Sequence, residues 1–176
     1  MEKIILIKPD ITHKNQVKSY IAEFTDANAE GINGSNGLMR HTYSSWLNHI
    51  AKNSIQRVGE RFISFTYFAI RQLDNKIIGT VDIRPSLLPN EYNLGHIGCA
   101  VVPSERARGY GTEIIRRAIV KAKELNPANK AIVMSCNKDN AASKKMIENN
   151  GFIFESEQIV GNEVWLIFIK ARTCDQ

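Results

Sequence analysis

The stretch that most constrains this chain runs from residue 96 to 125: "HIGCAVV", then "PSERARGYG", then "TEIIRRAIVKAKEL". An apolar run of strand type leads through a turn with two arginines and two glycines straight into a helix. Ile114, Ile115, Ala118, Ile119, Ala122 and Leu125 form one apolar stripe on that helix, while Glu113, Arg116, Lys123 and Glu124 face away. Pro127 ends it. The start of a helix presents unsatisfied N–H groups and about half a unit of positive charge, so this turn suits a phosphate-bearing ligand. Gly109 and Gly111 are expected to let a diphosphate approach the amides, and Arg106 and Arg108 to add charge-assisted hydrogen bonds. A duller reading has the glycines merely shaping a tight turn and the arginines solvated. Other phosphate motifs fit worse. A Walker loop needs Gly-Lys-Ser/Thr where Gly111-Thr112-Glu113 stands, and a dinucleotide fingerprint needs a glycine at Ile114.

The rest of the chain predicts a sheet with helices on both faces. Lys3–Lys8 reads as a strand, and residues 11–27 as a helix with Val17, Ile21 and Phe24 inward and Asp10 or Thr12 as N-cap. The loop "GINGSNGL" and a second helix over residues 42–55 follow. Strands "FTYFAIRQ" and "KIIGTVDIRP" form a hairpin through Leu73-Asp74-Asn75. Beyond the long helix come the strand "KAIVMSC", a helix from Asn140 stopped by Gly151, and two strands joined at Gly161-Asn162. The order predicts one domain over 1–176, of α/β (mixed α+β) class. Its mostly antiparallel mixed sheet should have six to seven strands.

Composition narrows the function classes. The 176 residues suffice for one domain, and the hydrophobic and charged fractions, 43% and 23%, are ordinary. No apolar run approaches a membrane span, and "MEKIILIKPD" reads as a first strand and not as a signal peptide. The three cysteines (Cys99, Cys136, Cys174) fit reduced thiols in a cytoplasmic protein and lack zinc-site spacing. The net charge of +5 is concentrated at Arg106, Arg108, Arg116 and Arg117, which points to a local anionic ligand more than to a nucleic-acid surface.

The run "VVPSERARGYGTEII" resembles the acetyl-CoA signature of the GNAT N-acetyltransferase superfamily, Arg/Gln-x-x-Gly-x-Gly/Ala, with Arg106, Gly109 and Gly111 in its fixed positions. "NKDNAASKKMIENNGF" resembles the family's second motif. The two motifs cover about residues 95–155, and the strand order extends the likeness over 62–170. The branch it resembles is one of predicted acetyltransferases of unsettled substrate.

The resemblance implies a three-layer fold with a splayed central strand pair, between which acetyl-CoA lies like an added strand. Gly98 is the expected place for the accompanying bulge. It also divides the chain into an acceptor side at 1–61, a cofactor core at 62–155 and C-terminal strands at 156–176. By position, Val101 and Val102 would offer backbone groups to the pantetheine arm and to the attacked carbonyl. Arg106, Ala107, Arg108, Gly109, Tyr110, Gly111 and Thr112 would wrap the diphosphate. Asn140 would bond the pantetheine or simply cap its helix, and Ser143 or Lys144 would approach the cofactor's far end. No metal is implied.

The implied reaction is attack by a neutral primary amine on the thioester. A lysine-like amine with pKa about 10.4 is only about 0.04% neutral at pH 7, so a general base matters for that substrate class. His96 is the first candidate base, with Asp82 or Glu91 (through a water) second; Asp82–Arg84 also reads as a structural ion pair, and His96 as a strand cap. The tyrosine that many relatives use to reprotonate the thiolate is replaced by Ile147. A small-molecule amine is placed ahead of a protein acceptor, with the pocket between the first two helices and the strands around Asp82. Loop 31–37 reads as a lid or, more simply, a mobile connection. A non-catalytic acyl-CoA sensor and a basic nucleic-acid module are the rivals, and a homodimer through the last strands stays open.

Overall fold

The computed structural model describes residues 2–55, 63–87 and 89–171; Cys174 lies outside them. The chain runs β1 (Ile4–Ile7), α1 (Lys14–Asp26), α2 (Tyr43–Asn53), β2 (Phe65–Arg71), β3 (Ile77–Ile83) and β4 (Ile97–Val101). It continues through α3 (Tyr110–Leu125), β5 (Ala131–Asn137), α4 (Ala141–Asn149), β6 (Ile153–Val160) and β7 (Glu163–Ala171). This is the order the sequence predicts. One detail differs at the start: Asp10 caps a short 3-10 turn over Ile11–His13, and α1 begins only at Lys14.

Hydrogen bonding divides the strands into two antiparallel sheets, β1-β2-β3-β4 and β5-β7-β6, where one mixed sheet was expected. Among the described residues β4 and β5 are joined where His96 meets Val133. The His96 N–H donates to the Val133 carbonyl at 2.7 Å, and Val133 N–H donates to the His96 Nδ1 at 3.0 Å. Past that joint no strand pairs with the second edge of β4 among the described ladders, which is the splay that the family resemblance implies. The bulge expected at Gly98 is absent: the β3–β4 ladder runs without a shift from Gly79–Val101 to Ile83–Ile97. Gly98 serves another purpose, as the loop before α2 shows below.

Alternation sorts the core into two layers. Ile4, Tyr67, Ala69, Val81, Ile83 and Ile97 face α3, whose Ile114, Ile115 and Ala118 are fully buried. On the other face Phe68, Ile70 and Ile77 meet Val17 and Phe24 of α1 and Trp46 of α2, with Trp46 stacked on Phe68 at 5.6 Å. Trp46, Tyr67 and Phe68 are thus core residues. The two layers hold α1–α2 on one side of β4 and α3 on the other, so that its free edge lies between them.

Candidate acetyl-CoA and acceptor site

Antiparallel pairing alternates which edge a residue's backbone groups address. Arg84 N–H donates to the His96 carbonyl and Val102 N–H to the Ile78 carbonyl, both at 2.8 Å. The even-numbered residues therefore bond to β3, and Ile97, Cys99 and Val101 turn their N–H and C=O groups to the open edge. Arg106 confirms the direction, since its Nε donates to the Val101 carbonyl at 3.2 Å. Of the two valines the sequence singles out, Val101 thus faces the cleft, while the Val102 N–H is spent on β3. Cys99 takes the second cleft position. Its thiol is pushed up to about 12 by burial, so at neutral pH it brings an amide and no thiolate.

The turn after β4 is built for exposed amides. Ala107 and Gly109 both adopt left-handed backbone, φ 59° and 83°. Gly109 is the N-cap of α3 and supplies no side-chain cap, so the first amides of this 16-residue helix have no intrahelical or capping acceptor. That fits a diphosphate. Gly111 also bears on packing: a Cβ there would meet Met146 Sδ, so its bareness brings α4 close to α3. Tyr110 also turns inward, buried in the core with its hydroxyl 3.1 Å from Glu2 and 3.3 Å from Arg71.

The arginines of the turn are engaged and not simply solvated. Arg106 also lies over the Phe24 ring at 5.7 Å. Arg108 NH1 donates to Glu105 at 3.1 Å, and the same buried carboxylate accepts from Arg71 at 3.0 Å and Lys76 at 3.1 Å. Burial pushes the Glu105 carboxyl up, but Lys76 and Arg71 outweigh it and hold it below the usual carboxylate range. Glu105 anchors the turn, a role sequence reading misses; its only signal is an acid set among basic residues in "SERAR".

Asn140 accepts from Ser143 N–H at 3.0 Å and so caps α4, the simpler of its two expected roles. Lys144 lies 3.9 Å from Glu148 on the same helix. Ile147, at the tyrosine position of the second motif, is 1% exposed and part of the core. Its side chain offers no proton to a departing thiolate.

The three candidate bases separate clearly. His96 is buried with both ring nitrogens engaged, Nδ1 by Val133 N–H and Nε2 facing the Asn129 side-chain amide at 3.2 Å. Burial, with the nearby Arg84 charge, depresses its pKa to about 4 against the opposing bond from Val133. Glu91 is likewise buried, in a 3-10 segment over Pro89–Leu94. Asp82 pairs in register with Gly98 on β4 and faces loop 31–37. It accepts from Thr66 at 3.0 Å and lies 3.2 Å from Arg84, yet burial outweighs these partners and raises its pKa. The expected Asp82–Arg84 ion pair therefore exists.

Loop 31–37 is tethered instead of loose. Trp46 Nε1 donates to the Ser35 carbonyl at 2.8 Å, Thr80 to the Asn33 carbonyl at 3.2 Å, and Asn36 Nδ2 to Ser64 at 2.7 Å. Gly34, at φ 65°, sits directly on β4, where a Cβ would come 2.2 Å from the Gly98 carbonyl. Gly98 in turn leaves room for Asn33, whose Oδ1 would be 3.2 Å from a Cβ there.

An open strand edge ending in a bare-amide turn and helix is matched by comparison with known families. Residues 38–152 fit the model of the acetyltransferase (GNAT) family. The chain belongs to the GNAT acetyltransferase family. It is an acetyl-CoA-dependent acetyltransferase, and the described residues hold no group of three or more His, Cys, Asp or Glu side chains that could bind a metal. No curated protein matches the chain significantly. Solved structures share the fold at low identity. The microcin C7 self-immunity acetyltransferase MccE, solved with acetyl-CoA and AMP, aligns at TM-score 0.70 and 18% identity, covering 98% of this chain and 94% of its own. A ribosomal-protein-S5-alanine acetyltransferase from Vibrio fischeri gives 0.66 and 18%, covering 96% and 91%. A chimera of the spermidine N-acetyltransferase SpeG from Vibrio cholerae gives 0.64 and 10%, covering 96% and 95%. Among the described residues no helix of this acetyltransferase is long and apolar enough to cross a membrane.

Proposed function

We propose that this acetyltransferase moves the acetyl group to a primary amine of a small molecule, by direct attack while both substrates are bound. The observation that carries the small-molecule reading is the clamped loop: Gly34 on Gly98, with Asn33, Ser35 and Asn36 all bonded, walls the acceptor side of β4. A compact amine fits behind such a wall better than a protein surface does. Residues 1–61 supply the acceptor side in this reading, and 62–155 the cofactor core.

Acetyl-CoA supplies the activated thioester. The chain supplies the rest. Cys99 and Val101 hold the cosubstrate by their outward backbone groups, and an amide of this edge donates to the carbonyl oxygen as negative charge develops on it. The 106–112 turn takes the diphosphate. Asp82 accepts the amine proton: its raised pKa keeps it a stronger base than an ordinary carboxylate, and it lies on the strand beside Gly98, facing the loop. His96 holds the two sheets together at their joint. With Ile147 in the core, the departing thiolate needs no protein acid, since a thiol of pKa about 8.5 is a tolerable leaving group near neutral pH.

The test is an amine panel with thiol release as readout, set against peptides with free N-termini and internal lysines. Turnover with polyamines, amino acids or amino sugars exceeding that with peptides supports the reading; turnover confined to peptides overturns it. Acetyl-CoA at about 100 times its Kd should stabilise the protein by roughly 2.7 kcal/mol and raise Tm by about 5–11 °C. DNA should give no such shift.

A further inference from the structure

The outer edge of the β5-β7-β6 sheet is an eight-residue strand that the acetyl-CoA site does not use. Ile153, Phe154, Ile159 and Val160 are 76%, 51%, 79% and 43% exposed, four of the nine large exposed hydrophobics among the described residues. Edge strands are blunted by lysine or proline, by other charges and by bulges. β6, "IFESEQIV", carries no lysine or proline; its charges are Glu155, at a shift in the ladder, and Glu157, which lies beside Lys138.

Its pattern is self-complementary. The ladder to β7 has a shift between Phe154 and Ser156, which leaves Glu155 as the extra residue. Ile153, Ser156, Gln158 and Val160 then face one side of the sheet, opposite Ile169, Ile167, Trp165 and Glu163 of β7. Phe154, Glu157 and Ile159 face the other, opposite Phe168, Leu166 and Val164. Turning the strand about an axis through Glu157 matches Ile153 with Val160, Phe154 with Ile159, and Ser156 with Gln158. Each pair shares a face, as direct antiparallel neighbours must. Every exposed apolar residue meets another. A two-residue slip in either direction strands one apolar end, and a one-residue slip puts partners on opposite faces. At the axis the two Glu157 carboxylates approach, and each lies beside Lys138 of its own chain at 3.0 Å, so the charges at the centre are balanced.

We propose that β6 pairs antiparallel with β6 of a second copy of this chain, with Glu157 on the two-fold axis, joining two three-stranded sheets into one. The dimer closes on itself, since the pairing consumes the same edge on both copies.

Sedimentation velocity on the full chain at micromolar concentration tests the assembly. A species of twice 19.8 kDa is expected, and a species of 19.8 kDa overturns the proposal. Ile159→Lys places two extra lysines opposite the two Phe154 rings and should return the chain to monomer. A Tm shift with acetyl-CoA equal to the parent's shows that the variant is folded. A variant that stays dimeric overturns this edge as the interface. Register is tested with Glu157→Cys, which brings two thiols together at the axis. Mild oxidation should give a cross-linked dimer well above the level of the parent chain with its own cysteines and of Lys145→Cys on α4. Cross-linking no greater than these controls overturns the register, and growth into species larger than a dimer overturns the closed pairing.

Discussion

Asp82 and His96 are both buried on or beside the strands that flank the splay, and burial moves them in opposite chemical directions. For Asp82 the lost hydration disfavours the anion and raises the pKa. Asp82→Asn should leave acetyl-CoA binding intact and lower kcat about 100-fold or more at pH 7, since general-base catalysis typically contributes that much. A kcat unchanged across the pH profile would remove Asp82 from the mechanism. For His96 the same effect disfavours the cation: the folded pKa is about 4, below the ordinary value near 6.5. Between those values the unfolded chain binds more protons, so this contribution is present at pH 7 and lost as pH falls toward 4. Its full size is roughly 3 kcal/mol, and Asp82, whose raised pKa favours the folded state on acidification, opposes it. The comparison that isolates His96 is the Tm of the parent minus that of His96→Gln. That difference should shrink as pH is lowered from 7 to 5 and stay constant if His96 is solvated.

At the scale of elements, two glycines bear on packing. Gly111 marks the α3–α4 contact with Met146. Gly111→Ala obliges the flexible Met146 side chain to move, and alanine's better helix propensity offsets part of that cost, so the net change should stay within about 1 kcal/mol. Combined with Met146→Ala it should be more favourable than alone, and strict additivity in denaturant unfolding would show that the two do not interact. Gly34→Ala forces a Cβ against the Gly98 carbonyl and demands positive φ of alanine. It should destabilise the loop and raise KM for the amine while leaving KM for acetyl-CoA nearly unchanged. These contacts explain what the sequence could show and what it could not. Strand and helix order was legible because each segment carries its own period, and the α3 stripe in particular buries as read. The unbroken course of β4 was not, because Gly98 serves a loop far away in the chain. Nor was Glu105, whose partners Arg71 and Lys76 come from the β2–β3 hairpin and converge on it only in the folded chain.

For the molecule as a whole, the split between β4 and β5 is the decisive feature. It sits where the His96–Val133 joint ends, and it exposes the alternate backbone groups of one strand beside a helix that begins with bare amides. The sequence showed the turn and the helix but not which strand residues face the opening, since parity depends on the β3 register: Cys99 and Val101 face the cleft, and Val102 does not. The arginine charge of the turn is partly balanced by Glu105, which argues for a positioned cationic loop over a diffuse basic surface. The most direct measurement is a backbone amide NMR titration with acetyl-CoA. Saturable shifts concentrated at Cys99, Val101 and residues 106–112 are expected, with Val102 less affected. Saturable binding that leaves Cys99, Val101 and the 106–112 amides unmoved would contradict it.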